Sequence, residues 1–317
     1  MKKIVFTMFL VLLMFGFISI DVFASDYYEF SAFSGPGAEY DVACYGNNIY
    51  YGSGSQVYRV SVSVADPSKK DEPRYLPNGN PNPNYQTRTF STPVAITLTG
   101  APYSLNYGGT GEMYVDQNYI YTIDSHDDIC AFNKNTGQYV ASASKVYNNG
   151  LPGTGWGYAT LLSYGGNKWW IGNENRQVYS STDGSNWDYE FTWNNMAGSH
   201  GDGMEYVNGK IFVSDMTSNY IAMWGYGDDP STPNITETGW NEWKKFSYTE
   251  LTGGNKYVEG LGFGALGHFW AGSGSYIYEL GGGSIQTYTN TVPEPGTILF
   301  IASGLIGLAA YRKQQAN

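Results

Sequence analysis

A short pattern of turn, aromatic strand, polar turn and second apolar strand recurs five times and constrains the fold more than any other feature. β-branched and aromatic residues fill both strands of each copy, and Gly, Asn and Ser fill the turns. The first strands centre on Ile49, Ile120, Trp169, Ile211 and Phe269, and the second strands cover 57–60, 129–132, 177–180, 219–224 and 276–280. Most intervals are close to the roughly 40–50 residues of a propeller blade, so the repeat predicts an all-β propeller.

The number of copies favours five blades, with six as the alternative. The first interval is long and contains residues 66–85, which are dense in Pro and Asn and are typical of an inserted surface loop. Residues 90–105 are the candidate for a degenerate sixth blade. Helix signals are almost absent between 25 and 291. A β-sandwich or jelly roll is the rival architecture, and the repeat disfavours it.

Two further segments have the pattern of outer hairpins. Residues 132–140 read as strand, turn and strand, with Asn-x-Thr-Gly in the turn. Residues 181–187, Ser-Thr-Asp-Gly-Ser-Asn-Trp, resemble the Asp-box turn of sialidase-type propellers, one residue short between Asp183 and Trp187. In that family the turn is structural, so the resemblance implies a fold element and no catalytic residue.

The N-terminal segment has the three parts of a secretory signal. Lys2 and Lys3 provide the positive charge, residues 4–20 form an uncharged apolar run, and Val22-Phe23-Ala24 places small residues at the cleavage site. We expect signal peptidase to cleave after Ala24. A permanent N-terminal anchor is the alternative, but the run is short for a bilayer span.

The C-terminal segment combines a rigid motif, an apolar stretch and a basic end. Val292, Pro293, Glu294 and Pro295 precede an apolar run over 297–310, and Arg312 and Lys313 close it. The positive end would stay on the cytoplasmic side of a membrane. An ordinary membrane helix would have a similar composition. The order of the parts over residues 292–317 resembles the PEP-CTERM sorting signal.

That resemblance implies recognition by an exosortase, a membrane-embedded processing enzyme, after transient insertion of the C-terminal helix in the inner membrane. It also implies a Gram-negative host that makes extracellular polysaccharide. The expected organisation is a signal peptide over 1–24, a propeller over 25–291 and a sorting segment over 292–317. We expect an exported envelope or biofilm-matrix protein that associates with exopolysaccharide and is not an enzyme.

Charge and cysteine content limit the partners. The formal net charge is −11, and removing both ends makes the body more acidic still. An acidic body argues against nucleic acid and anionic lipid as partners. The two cysteines, Cys44 and Cys130, form no zinc-type motif. In an oxidising compartment they either form a disulfide or remain two small buried side chains.

One set of acidic residues suggests an alternative function. Asp41, Asp202 and Glu259 precede the aromatic strands of their units by similar distances, at the expected start of the innermost strand. Carboxylates converging at the channel mouth would hold a hard cation such as Ca²⁺. The Asp-Gly-Met and Glu-Gly-Leu segments at 202 and 259 resemble ligand motifs of gluconolactonase-like propellers, which implies a metal-dependent hydrolase. In such an enzyme His200 would either support the metal ligands or transfer a proton. The order of the motifs departs from that family, and structural capping of turn amides is the competing interpretation.

Each remaining residue that could take part in catalysis or binding also has a purely structural interpretation. His126 fits a solvated turn and His268 a packing position beside an aromatic strand. The nine Trp and 29 Tyr residues provide either sugar-stacking platforms or inter-blade packing. No Gly-x-Ser-x-Gly elbow or phosphate-binding loop occurs in a suitable context.

Overall fold

The strands account for almost all regular structure in the computed structural model. The model describes residues 28–35, 41–76, 78–106, 111–151, 159–173, 176–193, 201–232, 235–247, 251–252 and 257–289. Within these ranges, helix is limited to single 3₁₀ turns at Pro67–Lys69, Ala265–Gly267 and Gly283–Ile285, and to Gln286–Thr289. The all-β prediction is confirmed.

Twenty strands make five separate antiparallel sheets. In chain order they are β1 (Tyr28–Ser34), β2 (Val42–Tyr45), β3 (Asn48–Ser53), β4 (Gln56–Ser63), β5 (Thr89–Phe90), β6 (Val94–Thr97), β7 (Tyr114–Val115), β8 (Tyr119–Ile123), β9 (Ile129–Asn133), β10 (Leu161–Gly165), β11 (Lys168–Gly172), β12 (Gln177–Ser181), β13 (Asp188–Thr192), β14 (Gly203–Val207), β15 (Lys210–Ser214), β16 (Tyr220–Tyr226), β17 (Trp240–Ser247), β18 (Leu261–Phe263), β19 (Phe269–Ser273) and β20 (Tyr276–Gly281). Blade 1 contains β2 to β6, blade 2 β7 to β9, blade 3 β10 to β13, blade 4 β14 to β17, and blade 5 β18 to β20 with β1.

The innermost strands β2, β7, β10, β14 and β18 neighbour one another in chain order and close a ring. The predicted hairpins are the second and third strands of each blade, as the repeat indicated. The five-blade prediction is confirmed, and no sixth blade occurs among the described residues. Residues 90–105, the candidate for one, contribute β6, which pairs with β4 as an outer strand of blade 1.

Ring closure joins the two ends of the propeller. Strand β1 pairs antiparallel with β20, from Tyr28 opposite Gly281 to Ser34 opposite Tyr276, with a bulge between Glu29 and Ser31. The first strand of the chain therefore completes the last blade. This pairing protects the edge that an open ring would expose.

The core lies between the blades. Five clusters of buried side chains are present, one at each interface between neighbouring blades. Because side chains alternate along a strand, β3 places Ile49 and Tyr51 toward blade 5 and Tyr50 toward blade 2. Both faces of a central strand are buried, which explains why the repeated strands are apolar at nearly every position.

Two glycines let the innermost strands approach each other closely. A Cβ on Gly203 would lie 2.5 Å from the Leu261 nitrogen, and a Cβ on Gly262 would lie 2.3 Å from the Val42 oxygen. Neither distance is tolerated by real side chains, so only glycine fits at these positions. The narrow channel of a five-blade ring depends on them.

The insertion within blade 1, between β4 and β5, packs against the closing strands of blade 5. Arg88 at its end is buried and binds Glu279 on β20, and the Tyr85 hydroxyl donates to the carbonyl oxygen of Phe30 on β1. His268 stacks on Phe30 at 4.5 Å between ring centroids, which confirms it as a packing residue. We therefore call residues 66–88 the clasp, because they join blade 1 to the closure.

Among the residues that the structure describes, no helix has the length and apolar character needed to cross a bilayer. The predicted signal segment and the predicted C-terminal helix at 292–317 lie outside those residues.

Candidate functional site

The predicted acidic residues lie at the entrance of the central channel. Asp41 directly precedes β2, Asp202 directly precedes β14, and Glu259 lies two residues before β18. All three strands are innermost strands, and they neighbour one another around the ring. The entry ends of these strands form one end of the channel, which we call the channel mouth.

Asp41 joins three blades by hydrogen bonds. Its Oδ1 accepts from the amides of Val42 at 2.8 Å and Leu261 at 3.1 Å, and its Oδ2 accepts from the Met113 amide at 2.7 Å. These amides begin the innermost strands of blades 1, 5 and 2. Burial raises the pKa of Asp41 to about 8, and the three amide donors oppose that rise. The carboxyl group thus acts as an inter-blade connector.

Asp202 and Glu259 meet around Ser214 on β15. The Asp202 amide donates to the Ser214 carbonyl oxygen at 3.0 Å, and the Ser214 hydroxyl donates to the Glu259 carbonyl oxygen. The Asp202 Oδ2 accepts from the Met216 amide at 2.6 Å. These contacts cap main-chain groups where blade 4 meets blade 5.

Glu112 belongs to the same mouth and was missed in the sequence. It lies two residues before β7, is fully buried, and neither of its carboxyl oxygens has a hydrogen-bond partner of normal geometry among the described residues. Burial raises its pKa well above the usual value, the nearby charges of Asp41 and Asp127 add to the rise, and the amide of Asn106 opposes it. Its separation from Ile120 equals that of Asp41 from Ile49, so the repeat alignment could have found it.

Glu205 on β14 adds a further acidic group to the channel. Burial and the charge of Asp41 raise its pKa well above that of an ordinary glutamate. It also raises the pKa of the Cys44 thiol and of the Tyr114 hydroxyl, although burial is the larger cause for both groups. Acidic groups from blades 1, 2 and 4 therefore interact within the ring, and protonation relieves their repulsion.

The described residues contain no group of three His, Cys, Asp or Glu side chains placed to hold a metal ion. His200, the predicted second-shell residue, lies outside them. Cys44 and Cys130 are unpaired in the structure, with Cys44 half-buried and Cys130 buried, and whether they form a disulfide after export stays a prediction. His126 is an exposed turn residue, as expected, and its ring lies 3.8 Å from that of Tyr103.

An open cleft of about 460 Å³ lies at the interface of blades 2 and 3. Four aromatic side chains line it: Tyr114 on β7, Tyr121 on β8, Tyr164 on β10 and Trp169 on β11. Trp169 contacts all three tyrosines, with ring centroids 4.8 Å from Tyr164, 5.0 Å from Tyr121 and 5.8 Å from Tyr114. Trp169 and Tyr121 are buried, whereas Tyr114 and Tyr164 are half-buried, so part of each of these two rings is accessible.

Polar side chains complete the wall of this aromatic cleft. Asp116 follows β7 and accepts the Tyr121 hydroxyl at 3.0 Å, while Asp183 lies in the turn after β12. The Asp183 Oδ1 accepts from the amides of Ser185 and Asn186, so the predicted turn at 181–187 is held by its aspartate. Lys145 reaches the cleft from the outer segment of blade 2. The cleft therefore combines ring faces with hydroxyl, carboxylate and ammonium groups, the composition of a small-molecule site.

The closed ring of five sheets with its inter-blade cores defines the body as a five-bladed β-propeller. Residues 291–313 match the PEP-CTERM protein-sorting motif. The chain is therefore an exported protein that carries an exosortase-processed sorting segment and is directed to the cell envelope or the extracellular space.

Several solved structures are similar to the chain. A streptogramin B lyase is 11% identical, with 77% of this chain and 65% of that chain covered and a TM-score of 0.37. A structural genomics protein of unknown function from Bacteroides thetaiotaomicron VPI-5482 is 12% identical, with 81% and 73% covered and a TM-score of 0.41. The WD40 β-propeller domain of Doa1 is 14% identical, with 77% and 65% covered and a TM-score of 0.34. The chain thus spans less than two thirds of the first of these structures. No curated protein matches its sequence.

Proposed function

We propose that the propeller is a non-enzymatic binding module of the cell envelope or extracellular matrix, and that it is retained there with exopolysaccharide. The observation that carries this proposal is the aromatic cleft, an open site of about 460 Å³ lined by rings and hydrogen-bonding groups. Its volume lies within the range of small-ligand sites. The sorting motif at 291–313 directs such a site to the cell envelope or the extracellular space.

The acidic body is compatible with this role. A net charge of −11 favours solubility and contact with uncharged partners over polyanions. Two carboxyl groups at the channel mouth accept from main-chain amides, Asp41 from three of them and Asp202 from that of Met216. Such groups stabilise strand entries and are poorly available for acid–base chemistry.

The proposal is tested in cells. We expect a deletion strain to lose matrix cohesion, and the tagged protein to fractionate with the surface polysaccharide of the wild-type strain. In a strain that lacks the polysaccharide, the protein should be released to the medium. Equal release from both strains would contradict retention by polysaccharide.

A second candidate, a divalent-metal-dependent hydrolase of the lactonase type, is favoured by Glu112. A buried carboxyl group without a hydrogen-bond partner is the kind of group for which an ion or water has to be considered. The hydrolase would use Asp41, Asp202 and Glu259 as ligands of Ca²⁺, but the described residues do not bring three such side chains together in the arrangement that a metal ion needs. A chelator should then lower the melting temperature, and Ca²⁺ should restore it. An unchanged melting temperature would eliminate this candidate.

A further inference from the structure

We propose that the aromatic cleft between blades 2 and 3 binds an uncharged hexose unit of an extracellular polysaccharide, with Tyr114 and Tyr164 as the stacking rings. This inference rests on the proposed function and adds to it the binding site and the chemical class of the ligand.

The ring geometry favours a flat, saturated ligand. Tyr114 and Tyr164 are half-buried, their centroids are 5.6 Å apart, and their planes meet at 44°. Trp169 closes the base of the cleft and packs edge-on against Tyr164 at 61°. Two inclined rings over an apolar base leave a corner in which the C–H face of a pyranose can lie against the negative face of an aromatic ring.

The free hydrogen-bonding groups fit a polyhydroxyl ligand. In the described part of the chain, the ammonium group of Lys145 and the hydroxyls of Thr182, Tyr114 and Tyr164 make no hydrogen bond, and Lys145 forms no ion pair. Burial raises the pKa of Tyr114, which keeps its hydroxyl neutral and able to donate. Sugar hydroxyls both donate and accept, so they can pair with all four groups.

The polar groups also select against an acidic sugar. Asp116 and Asp183 bring two carboxylates to the cleft, whereas Lys145 brings one ammonium group. Asp116 accepts from the amides of Asn118 and Tyr119, both at 2.7 Å, and the nearby Lys134 ammonium, which interacts with it, is not among the groups that line the cleft. The charged groups that line the cleft therefore carry a net negative charge, and the whole protein is also negative. Both charges disfavour the binding of sugars that carry uronate or sulfate groups.

The rings of Tyr114 and Tyr164 also contribute to the hydrophobic core. Replacing either with alanine would therefore destabilise the fold and would not test binding alone. Tyr164 and Tyr114 pack against the core cluster that contains Trp169 and Tyr121. Ala143 lines the cleft and is half-buried in a turn, so Ala143→Trp fills the space without removing a ring contact. Tyr164→Phe removes one hydroxyl and preserves the packing. The matched control is Tyr226→Ala, which removes a ring that is 68% exposed and lies on blade 4.

The test is calorimetric titration of the full exported protein with neutral tetrasaccharides (glucan, mannan and galactan) and with tetragalacturonate. We expect one neutral tetrasaccharide to bind, Ala143→Trp to weaken binding at least about tenfold, Tyr164→Phe to weaken it several-fold, and Tyr226→Ala to leave it unchanged. The melting temperature of Ala143→Trp should stay near that of the parent protein. Preferred binding of tetragalacturonate, binding unaffected by Ala143→Trp, or no binding would each overturn the inference.

The two proposals fail separately. If the protein fractionates with surface polysaccharide and Ala143→Trp does so equally, the cleft is not the site and the proposed function stands. If neither protein fractionates with polysaccharide, retention by polysaccharide is wrong whatever the titration shows.

Discussion

Arg88 and Glu279 form a buried, two-point ion pair that joins the clasp to the closing blade. The Nε of Arg88 donates to Oε2 of Glu279 at 2.7 Å, and its Nη2 donates to Oε1 at 2.9 Å, with both side chains excluded from solvent. The Nδ1 of His268 lies 2.7 Å from Oε1 of Glu279, and its Nε2 lies 2.9 Å from Oδ1 of Asp71. The pair therefore lies at the centre of a polar network between residues that are 191 positions apart in the chain.

The Arg88→Met variant should be strongly destabilised. It leaves the Glu279 carboxylate buried without its guanidinium partner, which costs about 3–5 kcal/mol for a buried pair. Urea denaturation followed by tryptophan fluorescence measures the loss. Lys168→Met is the matched control, because the pair of Lys168 with Glu190 is partly exposed and contributes at most about 1 kcal/mol. Equal losses in the two variants would show that the clasp does not stabilise the closure.

The same network should make the protein sensitive to acid. The pKa of Glu279 lies below its usual range because His268 and Arg88 bond to the carboxylate, although burial opposes this. The pKa of Asp71 is also lowered, by His268 and Lys70 against the effect of burial. A lowered folded-state pKa adds stability above the unfolded value, and this stability is lost as the pH falls through the folded value. Melting temperatures between pH 6 and pH 2.5 should fall more steeply for the parent protein than for Glu279→Gln, and parallel curves would contradict this.

Glu112→Gln should stabilise the protein, most of all at high pH. The raised pKa of Glu112 means that the folded state keeps a proton that the unfolded state releases above about pH 4.5. The parent protein therefore loses stability as the pH rises, and glutamine removes that loss. The difference in melting temperature between the variant and its parent should grow from pH 5 to pH 8. In the presence of Ca²⁺, a lower melting temperature of the variant would instead support the metal-site candidate.

Asp41→Asn should destabilise the channel mouth. The asparagine amide can replace only one of the two accepting oxygens, so it presents an N–H group to an N–H group of Val42, Leu261 or Met113. A buried donor left unpaired costs about 1–3 kcal/mol. Guanidinium denaturation measures the change, with Asp188→Asn on the exposed side of β13 as control. A loss no larger than in the control would remove Asp41 as a connector between blades.

The sorting motif gives a prediction about processing. We expect Pro293→Ala with Glu294→Ala to block removal of the tail, so that the unprocessed chain accumulates at the inner membrane. Intact-mass analysis of the product from cells with and without an exosortase measures this. The control pair Gln314→Ala with Gln315→Ala lies outside the matched segment and should be processed normally. Normal removal of the tail from the Pro293 and Glu294 variant would show that another feature directs cleavage.

The repeat predicted the blades because it reflects burial. A central strand with blades on both sides needs apolar residues at successive positions, as Tyr50 and Tyr51 show by packing toward different neighbours. The same alignment placed Asp41 and Asp202 at strand entries, and applied to blade 2 it would also have found Glu112. The alignment could not predict the hydrogen bonds or the pKa of each carboxyl group, because these depend on amides from other blades.

A local sequence pattern could not predict the cleft or the clasp, and the reason is a different one. Lys145 joins the cleft from an outer segment of blade 2, whereas Trp169 and Asp183 come from blade 3. Proline and asparagine correctly marked residues 66–85 as an insertion, but nothing local indicates that Arg88 meets Glu279 across the closure. Contacts between distant segments depend on how the ring closes, and a local repeat carries no information about them.

The pairing of β1 with β20 has a consequence for export if the predicted N-terminal signal directs the unfolded chain across the membrane. Strand β1 would then cross first, and its partner over Tyr276–Gly281 would be the last of the described strands to follow. The propeller ring therefore cannot close until almost the whole body has crossed the membrane. Until then β1 has no partner strand. The sorting motif starts at residue 291, ten residues after β20 ends. Folding is thereby coupled to delivery, because the segment that an exosortase reads emerges just as the strand that completes the propeller becomes available.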